Sequence, residues 1–261
     1  MRNAYLFLLP ALVAIFFSWA SVAPAFAHPD DDFCEAENGI DPVLCRQLAA
    51  ADRSAPKTNA PLRDKDGNVR SVFDTAMLYL DIGVRHILPG GADHILFVLA
   101  LFLASERMRS LIIQISAFTL AHTATLGLAA AGVIDPPASI VEPLIALSIA
   151  YVAVENLIFK DIPKWRPAIV FGFGLFHGLG FAGFIRDVGL PQDQFWSSLI
   201  GFNLGVEFGQ LAVIAAAFGG SLLVKPVLAR FGATYRDVVV TPISLIIAAT
   251  GLWWGITRIF G

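Results

Sequence analysis

What most constrains this chain is a succession of apolar stretches, each close to the roughly 20 helical residues needed to cross about 30 Å of hydrocarbon. They are read at 92–106, 109–132, 140–159, 167–186, 196–223 and 238–259. The expected fold class is all-α, a polytopic membrane helix bundle with six transmembrane helices. Residues 73–88 are too short and too polar for a further crossing, since they hold Asp74, Asp81, Arg85 and His86 ahead of the breaker Pro89-Gly90-Gly91. That stretch is expected to be a short re-entrant or interfacial helix, which is tolerated at membrane depth where protein or water satisfies its backbone. Only 15% of residues are charged, against about a quarter in a soluble domain, so water is not the main solvent. A net charge of −3 and the absence of a basic cluster exclude nucleic acid as a partner.

The chain opens with Arg2, an apolar run from Ala4 to Trp19 and the small-residue site Ala25-Phe26-Ala27, the pattern of a cleavable secretory signal peptide over 1–27. An uncleaved signal anchor is the alternative. Residues 28–73 read as an extracytoplasmic segment. The exported setting permits a disulfide between Cys34 and Cys45, with a soft-metal thiol pair as the sharper option. A mature His28 would offer an amine and an imidazole beside three aspartates. Residues 74–261 form the transmembrane domain. With the mature N-terminus outside, the inner loops carry Arg107 and Arg109, then Lys160, Lys164 and Arg166, then Lys225, Arg230 and Arg236. The outer side has Arg186 and Arg258. This distribution obeys the positive-inside rule and fixes the expected orientation.

Ionisable side chains inside a bilayer are costly unless paired, hydrated or coordinating, and so mark function. Four of the five histidines, His86, His94, His122 and His177, lie in or beside the apolar segments with Asp93, Glu142, Glu155 and Glu207. Thr119, His122 and Thr123 share a helix face, as do Asn203, Glu207 and Gln210 at i, i+4 and i+7. Neutral imidazoles bind borderline divalent ions such as Ni²⁺, Co²⁺, Cu²⁺ and Zn²⁺, and carboxylates compensate the charge. Around His177, Gly172, Gly174, Gly178, Gly180 and Gly183 allow a neighbouring helix to approach closely. They match no dinucleotide fingerprint. Plainer readings stand beside these. Glu142 before Pro143 could meet a helix N-terminus, Asp93 could be an N-cap, and Glu155 could pair with Lys160. His177 could simply bond across helices.

Six motifs combine in a way that resembles the HupE/UreJ family of bacterial membrane proteins. They are His86-Ile-Leu-Pro-Gly-Gly-Ala-Asp93-His94, Phe118-Thr-Leu-Ala-His122, Glu142-Pro-Leu-Ile-Ala-Leu-Ser148, Val154-Glu155-Asn156, Phe176-His177-Gly178-Leu-Gly-Phe-Ala and Asn203-Leu-Gly-Val-Glu207. The resemblance runs from about residue 74 to 220. It implies a six-span nickel or cobalt permease associated with hydrogenase or urease, in the bacterial inner membrane, with metal-handling roles for His86, Asp93, His94 and His177. Six residues separate His86 from Asp93 where the hydrogenase-linked pattern has five. The second histidine and glutamate that follow the Phe-His-Gly motif there are replaced by Gly180, Phe181 and Ala182, so the chain resembles a divergent branch.

The leading expectation is a secondary permease for a divalent transition metal, nickel or cobalt first and copper as a further candidate. The ion passes along His86, Asp93, His94, His122, His177, Glu207, Glu142, Glu155 and Asn203. The metal is the transported substrate, and no permanently bound cofactor is expected. The partners are the lipid bilayer and the ion, with a metalloenzyme maturation system as a candidate and the oligomeric state open. Two other classes compete: a membrane redox protein with His122 and His177 as axial haem ligands, and an accessory subunit that binds metal structurally. A hydrolase is disfavoured, because neither G-x-S-x-G nor H-E-x-x-H occurs.

Overall fold

The structure is a computed structural model that describes residues 68–105, 107–159, 161–181 and 191–260. The signal peptide, His28, Cys34 and Cys45 lie outside the described residues. Among those described, all regular elements are helical. They are α1 (Val72–Ile87), α2 (Ala92–Ala104), α3 (Met108–Ala130), α4 (Ala138–Ile158), α5 (Arg166–Gly180), α6 (Phe195–Arg230) and α7 (Thr241–Phe260), with a π turn, Arg236–Val240, leading into α7.

Among the described residues, four helices are long and apolar enough to cross a membrane: Met108–Ala130, Ala138–Ile158, Phe195–Arg230 and Arg236–Phe260. The bent pair α1 and α2 makes a fifth if it counts as one span. The crossing expected at 92–106 is shorter than a full span, since α2 has only 13 residues, roughly 20 Å at 1.5 Å per residue. Likewise α5 has 15 residues, and the remainder of the expected 167–186 span falls largely outside the described residues. By contrast α6 runs to 36 residues, past the expected end at 223 and through Pro226. A backbone that meets lipid must keep its hydrogen bonds internal, and a proline is tolerated where neighbouring groups compensate.

Local chemistry explains the break between α1 and α2. Ser71 caps α1, its hydroxyl accepting from the Asp74 amide at 3.1 Å. Leu88 is extended, as expected of a residue before proline, and Leu88-Pro89 is cis. Gly90 and Gly91 complete the turn, and α2 leaves at 71° to α1. A Cβ at Gly91 would collide with the His86 carbonyl oxygen. Glycine therefore lets the two half-helices meet with His86 and His94 on opposite sides of one bend.

Packing is concentrated in three helix pairs: α1 with α6, α3 with α5, and α4 with α7. Each is joined at glycines where the partner backbone leaves no room for a side chain. Gly201 and Gly205 of α6 lie on Ala76 and Leu80 of α1, Gly174 and Gly178 of α5 on Phe118 and His122 of α3, and Gly251 of α7 on Ala146 and Ala150 of α4. Small residues that admit close backbone approach are the usual basis of helix association in lipid. The apolar helix α2 threads between the pairs, with Phe97, Leu101 and Phe102 buried, and packs mainly on α4 and α6 while meeting α7 only lightly.

The three basic connections meet at one end. A groove of about 690 Å³ is lined jointly by Arg107, Lys164 and Arg236. Arg166, read from sequence as a loop charge, instead turns inward and is 2% exposed.

Candidate metal site

Where α1, α2, α3 and α5 come together, four imidazoles form one buried cluster. Ring centroids lie 4.8 Å apart for His86 and His94, 4.9 Å for His94 and His177, 5.9 Å for His94 and His122, and 6.4 Å for His86 and His122. All four residues are buried, His122 completely. Phenylalanines wall the cluster: Phe181 over His86 at 4.0 Å, Phe118 beside His177 at 5.0 Å, Phe97 beside His177 at 5.1 Å and Phe202 beside His86 at 5.6 Å. One ligand nitrogen from each of His86, His94 and His122 lies within 4.8 Å of the others. A four-coordinate ion at roughly 2.0–2.1 Å from its nitrogens holds them about 3.3 Å apart, so small ring movements would close the site.

Hydrogen bonds orient two of the rings. Ser148 Oγ donates to the Ile145 carbonyl at 2.6 Å, so it accepts from His177 Nε2 at 3.0 Å. The proton on Nε2 leaves a bare lone pair on Nδ1. Asn203 Nδ2 donates to the Leu199 carbonyl at 2.8 Å, which turns Oδ1 toward His122 Nδ1 at 3.2 Å. His122 therefore keeps its lone pair on Nε2. His177 Nδ1 and the Nε2 atoms of His86, His94 and His122 are buried with no hydrogen-bond partner. Orphaned buried polar atoms are uncommon and call for an explanation. Four in one cluster, two of them held by supporting bonds of the kind that fix metal-binding histidines, suit a cation, with His86, His94 and His122 as the three whose nitrogens lie close together and His177 beside His94.

A family profile described as HupE / UreJ protein matches residues 63–258. The chain belongs to the HupE/UreJ family. That is a transporter-type family linked to nickel and cobalt transport, so this HupE/UreJ chain is a membrane protein. Comparison with curated proteins finds no match, and neither does comparison with solved structures.

The other sequence candidates of this HupE/UreJ chain fall around the cluster rather than within it. Asp93 lies in the first turn of α2, and Gly91 takes the N-cap position. Arg258 grips the Asp93 carboxylate, with Nη1 to Oδ2 at 3.1 Å and Nη2 to Oδ1 at 3.4 Å. Glu142 is inside α4 rather than at its start, because the helix begins at Ala138 after Pro137. Its backbone carbonyl accepts from Arg258 at 3.2 Å. Glu155 pairs with Arg166 at 3.1 Å, where the sequence offered Lys160 as partner. Asn156 joins them, accepting from Arg166 at 3.2 Å and donating to the Ala100 carbonyl at 2.7 Å. Asn203, Glu207 and Gln210 share a stripe of α6, whose ends meet α3 through His122 and through Thr119, 3.4 Å from Gln210. Glu207 is half-buried between them.

Sequence reasoning missed Ser148, the aromatic walls and the two arginines. Ser148 closes a motif already singled out, and a hydroxyl one or two turns from Glu142 on a membrane helix was the available signal. For Arg258 the signal was a lone cation at the end of an otherwise apolar helix.

Proposed function

We propose that this HupE/UreJ protein is a secondary permease for a divalent transition-metal cation, Ni²⁺ or Co²⁺ first, with the four-histidine cluster as its central binding site. The observation that carries this reading is the convergence of four buried imidazoles, each with an unpartnered nitrogen. The bare lone pairs would ligate the ion, Ser148 and Asn203 would hold two rings in register, and the phenylalanines would exclude water. Glu207, one turn from Asn203, is suited to balance the ion's charge on its way through. Glu155 is better assigned to bracing the basic end through Arg166 than to releasing metal.

The remaining parts of the reading follow the sequence. They are six crossings in the bacterial inner membrane, a signal peptide removed after Ala27, and an extracytoplasmic mature N-terminus. A haem is disfavoured, because Phe97 and Phe118 pack on His177 and Phe118 and Phe202 stack on His122, filling the space a porphyrin would need beside these two rings.

The test is uptake of radioactive Ni²⁺ or Co²⁺ into proteoliposomes holding the full chain, compared with His94→Ala and His122→Ala variants of intact helical content. Accumulation that collapses in both variants is expected. Equal uptake by wild type and both variants overturns the assignment.

A further inference from the structure

The converging ligands are all imidazoles, and no carboxylate belongs to the group among the described residues. A divalent ion bound by neutral rings in an aromatic enclosure carries two uncompensated charges, which is unfavourable in a low-dielectric site. The acid next in the chain to His94 is Asp93, and Arg258 already holds it. Only 14% of the Arg258 side chain and 23% of the Asp93 side chain are exposed, so this is no solvated surface pair. The grip is two-pronged, the arrangement that makes guanidinium-carboxylate pairs strong.

Arg258 also has somewhere else to rest. The same Nη1 donates to the Glu142 carbonyl, and the guanidinium carbon stands 5.5 Å from the Trp254 ring centroid, within range of a cation–π contact. Asp93 sits in the first turn of α2 and Arg258 in the last turn of α7, so each charge is favoured by its own helix dipole even when the pair parts. Because α2 otherwise meets α7 lightly, the pair is the main polar tie between them. These features describe a contact built to open without stranding either charge.

We propose that Arg258 is a resident counter-cation: its guanidinium neutralises Asp93 while the histidine cluster is empty and competes with the incoming metal ion for that carboxylate. This deepens the permease reading and rests on it. Arg258 is thus a positioning residue that sets cation affinity and couples arrival of the ion to loosening of α7 from α2. A plain structural staple would make no such coupling.

The experiment is Co²⁺ titration of the full-length protein in nanodiscs, by calorimetry and by the visible ligand-field band, with circular dichroism as a check on folding. Removing the competing charge in Arg258→Gln is expected to tighten Co²⁺ binding about tenfold, inside the 5–150-fold range usual for coupled sites. Arg258→Lys keeps the charge but loses the fork, and is expected to tighten binding a few-fold. In an Asp93→Asn background the effect of Arg258→Gln should vanish, as a double-mutant cycle requires of a direct competitor. Folded Arg258→Gln protein that binds Co²⁺ no tighter than wild type overturns the inference and leaves the metal site standing. Should Arg258→Gln fold poorly, Arg258→Lys decides, and affinity equal to wild type overturns the competition. Absence of Co²⁺ binding in wild type and every variant overturns the metal reading and the inference with it.

Discussion

Gly178→Ala is the sharpest probe of how the cluster is held. A Cβ at 178 would lie 2.9 Å from His122 Cα and closer still to the His122 carbonyl oxygen and Thr125 Oγ1, whereas ordinary contact is 3.4–4 Å. Backbone atoms cannot rotate aside, so α5 must retreat from α3 by about 1 Å, as in any overpacked close contact. That retreat stretches the 2.9 Å bond from Thr125 Oγ1 to the Leu175 carbonyl beyond hydrogen-bond range and shifts His177 relative to His94. Overpacking costs about 1–3 kcal/mol and the lost bond about 1 kcal/mol, which together predict about 2–4 kcal/mol of destabilisation. Binding should suffer as well, because ligand constellations tolerate roughly 0.5 Å of displacement. Co²⁺ affinity is expected to fall at least about tenfold. Gly172→Ala on the same helix is the control. Nothing lies within 4 Å of its added Cβ, so it should be neutral or gain up to about 1 kcal/mol from helix propensity. Thermal unfolding in detergent and Co²⁺ titration read both variants. Wild-type stability and affinity in Gly178→Ala, or equal damage from Gly172→Ala, would refute the close-contact argument.

Other substitutions test the supporting bonds. Asn203→Leu strands the His122 Nδ1 proton in a fully buried site, at a cost of about 1–3 kcal/mol. It should weaken Co²⁺ binding while Asn203→Asp, which keeps an acceptor, retains it; equal affinity in Asn203→Leu and wild type would remove Asn203 from the site. Ser148→Ala likewise leaves the His177 Nε2 proton without its acceptor in a buried site, at a similar cost of about 1–3 kcal/mol, and is expected to lower Co²⁺ affinity as the tautomer is released; wild-type affinity by calorimetry would remove Ser148 from the site. At the opposite end, Arg166→Met or Glu155→Leu alone leaves a buried charge uncompensated, costing about 3–5 kcal/mol. The double variant should recover much of that loss in thermal melts, and additive losses would show that the two side chains do not act as a pair.

Much of the helix layout was legible because apolar runs and breakers are local signals. The expected spans 109–132 and 140–159 became Met108–Ala130 and Ala138–Ile158, and Pro89-Gly90-Gly91 announced the bend between α1 and α2. The stripe of Asn203, Glu207 and Gln210 followed from helical spacing alone. Side-chain partners across helices did not. Asp93 and Arg258 are 165 residues apart, and their meeting depends on how α7 rotates against α4, which Gly251 decides through a contact no single helix encodes. Glu155 shows the same limit at short range. Lys160 was nearer in sequence, yet the turn into α5 delivers Arg166 to the carboxylate.

The pairing of helices has a mechanical consequence. His86 belongs to the α1–α6 pair, His122 and His177 to the α3–α5 pair, Ser148 and Arg258 to the α4–α7 pair, and His94 to the single helix lodged among them. Glycine contacts make each pair stiff, so the soft joints of the molecule run between pairs, straight through the imidazoles. A rocking of one pair by an ångström or two, of the kind that lets packed helices slide as bodies, would change the spacing of the nitrogens while leaving the glycine contacts within each pair intact. The same seams that gather the ligands are therefore the ones along which they can be drawn apart.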